Sequence, residues 1–308
     1  MKNGLKIIDM RCRPPYRGYL EHGYPFCLYE ESQFNVSLRK MSGIMATPAY
    51  LAGEQATPYS PEENRAMDLF IREMDAAGVD YGVVPYRAAW SDPVNNRAKT
   101  NNQDLVDLIE KYPDRFIGVA GISPSYSTVE ECLFDIDKYC VNGPLKGISM
   151  EPFMDRPNYF VDNEELVYPI LEKCDAHNIP VLLTFGSLLG FPEEQIPHLK
   201  DAATTFPNVN FVCCHGGYPY VEKMAHLACI MPNIYLSPDL YVLHTHVQQM
   251  YIDAANYTLK DKFLFGSAYP GIAMEFSANY YMTCGIREDV LSDVMYRTAA
   301  RLFKMDLR

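Results

Sequence analysis

Short apolar runs alternate with segments of helical periodicity along the chain, and this alternation constrains the fold more than any other feature. The eight strand candidates are residues 6–9, 82–85, 116–122, 146–151, 180–184, 209–214, 233–236 and 262–266. The helical segments between and after them are 61–77, 101–111, 128–139, 163–177, 193–205, 220–230, 245–257 and 287–303. Eight strand–helix units in 308 residues predict an α/β fold, a single (β/α)8 TIM barrel. No glycine-rich nucleotide fingerprint supports the competing open, doubly wound sheet.

One segment lacks this periodicity. No linker, repeat or low-complexity tract divides the chain, so we expect one domain over residues 1–308. Residues 14–60 follow the first strand and are rich in Tyr, Gly and Pro. Long irregular loops usually carry function or contacts, and a loop after strand 1 of a barrel lies over its mouth. We therefore predict a lid or dimerisation loop, which is the sequence feature that suggests a homo-oligomer.

Charge and cysteine content narrow the class of protein. With 27 basic and 39 acidic residues the net charge is −12, which argues against a nucleic-acid or anionic membrane surface. No apolar run approaches the ~20 residues that a membrane span needs. The nine cysteines contain no C-x-x-C pair, and no export signal is seen at the N-terminus. We therefore expect free thiols and a cytoplasmic location.

Two arginines follow the first strand. Arg11 and Arg13 are two residues apart, so their side chains leave an extended chain on the same side. Guanidinium groups stay charged and repel each other unless an anion or carboxylates lie between them. The pair is therefore either a clamp for a small anionic substrate or half of a salt-bridge network with Glu151 and Asp239. Arg87, near the end of the second strand, is a further candidate for substrate binding.

Other candidates lie where the predicted strands end, which is where sites form in this fold. His215 precedes two glycines, and imidazole titrates near neutral pH, so we predict a general base or acid there. Glu151 and Asp239 are either partners of the arginines or a second acid–base group. Tyr241 and Tyr269 are expected to line the substrate pocket.

Five stretches carry a family resemblance. They are IIDMRCRPP, CCHGGYPYVEKMAHLA, PNIYLS, FLFGSAYP and TAARLF, in this order along the chain. Together they resemble the amidohydrolase-related proteins, the branch that includes aminocarboxymuconate-semialdehyde decarboxylases, hydroxybenzoate-type decarboxylases and pyrone-dicarboxylate lactonases. The resemblance implies a TIM barrel with chemistry at its mouth, and it leaves the reaction open.

The chain departs from the family pattern at the metal ligands. Arg11-Cys12-Arg13 stands in place of the family's His-x-His, Thr184 in place of a histidine, and Ala268 in place of an aspartate. His215 alone remains, whereas zinc-type sites need about three or four ligands. We therefore expect no cofactor. The alternative is a divalent metal held by His244 and His246 together with His215 or Asp239.

From these observations we predict that the protein is a metal-independent hydrolase of the lactone or amide type that acts on a small carboxylate-bearing substrate at the mouth of the barrel. The expected substrate-binding residues are Arg11, Arg13, Arg87, Tyr241 and Tyr269, and the expected catalytic residues are His215, Asp239 and Glu151. One alternative is a decarboxylase of a small aromatic acid. The other is a non-catalytic, ligand-binding barrel that has lost its metal site.

Overall fold

In the part of the chain that the structure describes, seven parallel strands form one sheet, and their order in the sheet is their order in the chain. This computed structural model describes residues 4–16, 63–86, 101–153, 155, 157–186, 192–269 and 272–306. The strands are β1 (Ile8–Asp9), β2 (Tyr81–Pro85), β3 (Phe116–Gly121), β4 (Ile148–Met150), β5 (Val181–Thr184), β6 (Phe211–Cys214) and β7 (Ile234–Ser237). Thr184 pairs with Cys214, and Cys214 with Ser237, so the carboxyl ends of β5, β6 and β7 lie side by side.

The eighth predicted strand, residues 262–266, is present only as an isolated parallel bridge between Leu236 and Phe263. Lys262 O and Leu264 N bond to the backbone of Leu236 in β7, but the ladder goes no further, since Phe265 N donates to Val294 O at 3.0 Å. Phe265 O accepts a 3.1 Å hydrogen bond from Met10 N. The segment therefore still connects β7 to the first strand, and the predicted α/β barrel is confirmed.

Helices flank the sheet. They are α1 (Glu63–Ala77), α2 (Asn102–Lys111), α3 (Val129–Ile136), α4 (Tyr168–His177), α5 (Gln195–Thr205), α6 (Val221–Ile230), α7 (Gln248–Asp253), α8 (Met274–Thr283), α9 (Glu288–Ser292) and α10 (Thr298–Leu302). Thr128 begins α3 with a capping box, in which its side chain and that of Glu131 bond each other's backbone N–H. None of the described helices is long and apolar enough to cross a membrane.

Side chains from the inner face of the sheet fill the barrel below its mouth. Val83, Leu182, Val212 and Leu264 belong to one buried cluster, which the last helix completes with Ala299 and other residues. Residues two apart on a strand share a face, so Thr184 points the same way as Leu182, one layer nearer the carboxyl ends. The larger apolar cluster lies between the sheet and the surrounding helices.

The structure corrects several predicted boundaries and adds one helix. α4 begins at Tyr168 rather than at residue 163, since Asn163 instead accepts backbone hydrogen bonds from Glu165 and Leu166 in a turn. α8 was not predicted, because its sequence lacks a clear apolar face, yet it packs against α1. The predicted lid at residues 14–60 lies outside the described residues except for its first three, 14–16.

Candidate active site

Buried polar side chains converge at the carboxyl ends of the strands. Beyond β1 they are Arg11 and Arg13, beyond β4 Glu151, and at the end of β5 Thr184. His215 follows β6 and Asp239 follows β7, while Ser267 follows residues 262–266, which we call the bridge segment. Burying so many polar and charged groups together is costly unless each is held by partners, which makes this edge the candidate site.

His215 and Asp239 form a buried pair. The Nδ1 atom of His215 lies 2.9 Å from Oδ1 and 2.8 Å from Oδ2 of Asp239. The carboxylate also accepts backbone hydrogen bonds from Leu240 N at 2.7 Å and from His215 N at 3.3 Å. A carboxylate partner favours the tautomer that carries its proton on Nδ1. Nε2 of the neutral ring is then the atom that can accept a proton.

The ring is neutral at physiological pH. Burial is the largest cause that lowers the pKa of His215, to about 4, and the charges of Arg11 and Arg13 act in the same direction. The carboxylate of Asp239 opposes this shift but does not overcome it. His215 is therefore poised to accept a proton rather than to donate one at the start of a reaction.

Just after β6, β7 and the bridge segment, the backbone adopts a conformation that L-residues rarely occupy. His215, Asp239 and Ala268 have φ values of 67°, 47° and 55°. Such residues cost of order 1–3 kcal/mol each and cluster at functional sites. After His215, Gly216 also has φ 60°, and a Cβ there would lie 2.8 Å from Pro238 Cβ. The local sequence thus turns the imidazole toward Asp239 at a conformational cost.

Arg11 reaches across the barrel from the end of β1 to the end of β5. Its Nη2 donates to Thr184 Oγ1 at 3.2 Å, and that hydroxyl donates to Glu151 Oε1 at 2.9 Å. The side chains of Arg11, Thr184 and Glu151 are all at most 3% exposed. The Thr184 hydroxyl accepts a hydrogen bond from the guanidinium of Arg11 and donates one to Glu151, and so it connects the two charged groups.

Arg13 is also fully buried, and its charge acts on His215 and on the neighbouring cysteines. Cys12 points away from the arginines, because its Sγ lies 3.6 Å from Val83 O. Burial raises the pKa of Cys12 well above its ordinary value. Its thiol is therefore protonated and faces the outer layer of the barrel.

Asp9 holds the first strand to the bridge segment. Its carboxylate accepts hydrogen bonds from Ser267 Oγ at 2.5 Å, from Ser267 N at 2.8 Å and from Arg11 N at 3.0 Å. Burial raises the pKa of the Asp9 carboxyl, and these three hydrogen bonds oppose the shift. Neither Asp9 nor Ser267 is among the predicted site residues. The available signal was Asp9, a carboxylate at the end of an apolar strand.

Aromatic rings lie beside the histidine. The ring of Tyr241 meets that of His215 edge-on at 5.1 Å and stacks on that of Tyr218 at 4.5 Å. Tyr269 is also fully buried, and its ring packs edge-on against Phe70 of α1 at 5.1 Å. Tyr241 therefore borders the His215–Asp239 pair, whereas the described ring contact of Tyr269 is with a helix.

The structure brings most of the predicted site residues to one edge of the sheet. Arg11, Arg13, Glu151, His215, Asp239, Tyr241 and Tyr269 all follow strand ends or the bridge segment. Arg87 lies outside the described residues, so its predicted role stays a prediction. Sequence reasoning noted Thr184 only as a departure from a family pattern and missed its contact with Arg11. Its position at the end of an apolar strand was the signal.

A sequence profile described as "Amidohydrolase" matches residues 8–305. The chain belongs to the amidohydrolase family. The match extends from the first strand past the last helix, in agreement with the resemblance seen in the strand-end motifs. Membership in this family places the chain in a superfamily of enzymes, but it does not specify the reaction.

Solved structures share the fold of this amidohydrolase-family protein. An uncharacterised TIM-barrel protein from Bordetella bronchiseptica is 27% identical, with a TM-score of 0.79, and the alignment covers 97% of this chain and 99% of that one. A 2,6-dihydroxybenzoate decarboxylase from Rhizobium is 16% identical, with a TM-score of 0.68 and coverage of 97% and 99%. A 5-carboxyvanillate decarboxylase from Novosphingobium aromaticivorans is 16% identical, with a TM-score of 0.68 and coverage of 99% and 97%.

A curated protein matches over a short stretch. Protein fluG of Emericella nidulans is 44% identical over 39 residues, which are 13% of this chain and 4% of that protein. The chain thus spans far less than two thirds of that relative, and the match adds nothing on the reaction.

The prediction that this protein uses no cofactor is wrong by comparison with structural neighbours that hold manganese. The 5-carboxyvanillate decarboxylase was crystallised with manganese. A dihydroxybenzoic acid decarboxylase from Polaromonas, 17% identical with a TM-score of 0.65 and coverage of 98% and 97%, was crystallised with manganese and 2-nitroresorcinol. Proteins that share this fold therefore bind a metal ion.

The described residues do not by themselves fit a manganese site. Within them, no group of three or more His, Cys, Asp or Glu side chains is arranged to hold an ion. His244 lies against Tyr280, and His246 faces Tyr218, so the predicted alternative of a shared histidine site is not formed by these residues.

Proposed function

We propose that this protein is a lyase that removes CO₂ from a small aromatic acid bound at the carboxyl ends of the strands. The observation that carries the proposal is the neutral imidazole of His215, paired with the Asp239 carboxylate beside two buried arginines. It replaces the lactone or amide hydrolase as the leading hypothesis. Supporting it, several structural neighbours are aromatic acid decarboxylases.

In this proposal Arg11 and Arg13 attract the substrate carboxylate. Guanidinium groups pair well with carboxylates, and two fixed cations in a water-poor site favour a bound anion. The ring of Tyr241 would border an aromatic substrate next to His215. The pocket would therefore select a flat molecule that carries a negative charge at one end.

His215 is the proposed proton carrier. For an acid with a hydroxyl next to the carboxylate, Nε2 accepts the hydroxyl proton, and Asp239 stabilises the resulting imidazolium. The imidazolium then protonates the ring carbon that bears the carboxylate. The bond from that carbon to the carboxylate breaks, CO₂ leaves, and the electron pair restores the aromatic ring as a phenolate. The phenolate takes a proton from solvent, which balances the reaction.

The hydrolase remains the second candidate because a neutral histidine with a carboxylate partner can equally activate a water molecule. In that reaction Arg11 and Arg13 would stabilise the oxyanion that forms at the attacked carbonyl. The two functions differ in product: decarboxylation releases CO₂, and hydrolysis does not.

The test is an assay of the full chain with 2,6-dihydroxybenzoate, 5-carboxyvanillate and a set of lactones. It is run both after chelation and with added manganese, and it measures CO₂ and loss of substrate. We expect CO₂ from an aromatic acid, and about 10²- to 10⁴-fold less with His215→Asn. His198→Asn is the matched control, because the Nδ1 atom of His198 lies 2.8 Å from an Asp162 oxygen, away from the buried polar residues at the strand ends.

Other outcomes would contradict the proposal. Ring opening of a lactone without CO₂ would establish the hydrolase. Tight binding of aromatic acids without turnover under either metal condition would establish a non-catalytic binding protein. Equal loss of activity in the His215 and His198 variants would exclude the proposed proton carrier.

A further inference from the structure

Thr184 stands between a buried cation and a buried carboxylate. Arg11 Nη2 donates to its Oγ1 at 3.2 Å, and Oγ1 donates to Glu151 Oε1 at 2.9 Å. Thr184 itself is 2% exposed and is the last residue of β5. Its backbone is fixed by the pairing of β5 with β6, where it lies opposite Cys214.

The chemistry of the three side chains fixes the direction of both hydrogen bonds. A guanidinium has donors only and an ionised carboxylate has acceptors only, whereas a hydroxyl can serve both at once. The proton of Thr184 is therefore directed at Glu151, and its lone pair at Arg11. Burial raises the pKa of the Cys214 thiol, and the charge of Arg11 and a hydrogen bond from it oppose this shift. The guanidinium therefore lies near the ends of β5 and β6.

We infer that Thr184 is a positioning residue, which orients the guanidinium of Arg11 for a substrate carboxylate and links it to Glu151. This inference rests on the proposed function, in which Arg11 binds that carboxylate. A free arginine side chain has many rotamers, so the position of its guanidinium is poorly defined. A hydrogen bond to a residue at the end of a rigid strand restricts that position. Thr184 acts through Arg11 and does not itself touch the substrate.

The test compares Thr184→Val, which keeps the shape and removes the hydroxyl, with Thr184→Ser, which keeps the hydroxyl. Benzoate is the probe, and its dissociation constant is measured by calorimetry. Hydrogen bonds to charged groups predict that Thr184→Val weakens benzoate binding about 10-fold or more. Thr184→Ser is expected to restore most of the affinity, which a purely structural role of the side-chain methyl would not allow.

Thr298→Val is the matched control. Thr298 is a buried threonine on α10 that also accepts a hydrogen bond from an arginine, from Arg301 Nη2 at 3.1 Å. Because it lies on the last helix and not at a strand end, we expect no change in benzoate affinity. An equal loss of affinity in the Thr184 and Thr298 variants would overturn the inference.

Crystal structures of the variants separate this inference from the proposed function. In Thr184→Val the Arg11 guanidinium is expected to leave the end of β5 while His215 and Asp239 stay paired, and in Thr184→Ser it is expected to stay. If wild-type protein fails to bind benzoate but Arg11 moves only in the valine variant, the carboxylate site fails and the positioning role holds. An unmoved guanidinium in Thr184→Val would overturn the positioning role whatever the binding result.

Discussion

The Nδ1 atom of His215 lies within 2.9 Å of both carboxylate oxygens of Asp239. The two residues follow neighbouring strands, β6 and β7, and each has a positive φ. Their contact therefore depends on two turns with unfavourable backbone conformations. It leaves the opposite nitrogen of the ring, Nε2, as the proton acceptor.

Replacing Asp239 with Asn is expected to lower kcat by about 10²- to 10⁴-fold. An amide can present its NH₂ group to Nδ1, which favours the tautomer with its proton on Nε2 and blocks proton uptake there. KM should change little, because Asp239 does not bind the carboxylate. The measurement is steady-state kinetics, with Asp162→Asn as the control at the His198 pair. An unchanged kcat would contradict the assigned tautomer.

The acid limb of the activity profile is expected near pH 4 rather than near pH 6.5, because His215 must be neutral to accept a proton. The profile of kcat/KM against pH gives this value directly. A limb near pH 6.5 would mean that the ring is hydrated or that another group limits the rate.

Stability is expected to fall as the pH decreases from 6.5 to 4. The unfolded chain protonates this histidine near pH 6.5, whereas the folded protein does so near pH 4, so the unfolded state binds more protons between these values. The contribution of His215 to the free energy of unfolding, roughly 3 kcal/mol, is complete at pH values above the pKa of this histidine in the unfolded chain. Denaturant unfolding over this pH range should therefore show a weaker pH dependence for His215→Asn than for wild type.

Arg11→Met is expected to weaken binding of benzoate at least 10-fold, because it removes one of the two charges that we propose to hold the carboxylate. Arg301→Met, which removes a half-exposed arginine on α10, should leave binding unchanged. Calorimetry measures the affinity, and circular dichroism checks the fold. If Arg11→Met unfolds the protein and the wild type binds no benzoate, the arginine serves the salt-bridge network instead.

Ser267→Ala is expected to destabilise the protein by about 1–3 kcal/mol, because it removes a donor from the buried carboxylate of Asp9. Ser277→Ala is the control: Ser277 is equally buried, and its hydroxyl has no hydrogen-bond partner among the described residues. The thermal midpoints of both variants provide the comparison. A larger loss in the Ser277 variant would show that the Asp9 contact contributes little.

The sequence predicted the fold well because strand periodicity and the position of polar residues at strand ends are local signals. It also brought His215 and Asp239 into one candidate site. It did not predict that Arg11 reaches Thr184, because that contact joins residues 173 positions apart. Whether an arginine meets a hydroxyl, a carboxylate or a substrate depends on the packing of the barrel interior, which periodicity does not describe.

The expectation about cofactors failed for a different reason. It rested on counting lost ligands in one sequence, and relatives of the same fold were crystallised with manganese. The eighth strand was overestimated in a similar way, since an apolar run at residues 262–266 fits either a regular strand or the bridge segment that the structure contains. The choice depends on Val294 and Asp9, which are distant in sequence.

The contact between Asp9 and Ser267 bears on how the barrel is made during synthesis. Ser267 is synthesised 258 residues after Asp9. The first strand therefore cannot contact the bridge segment until most of the chain has emerged from the ribosome. Until then an edge of the sheet offers unsatisfied backbone groups to other chains. We therefore expect the nascent protein to depend on chaperones that shield this edge, and a chain truncated before residue 265 to aggregate rather than fold.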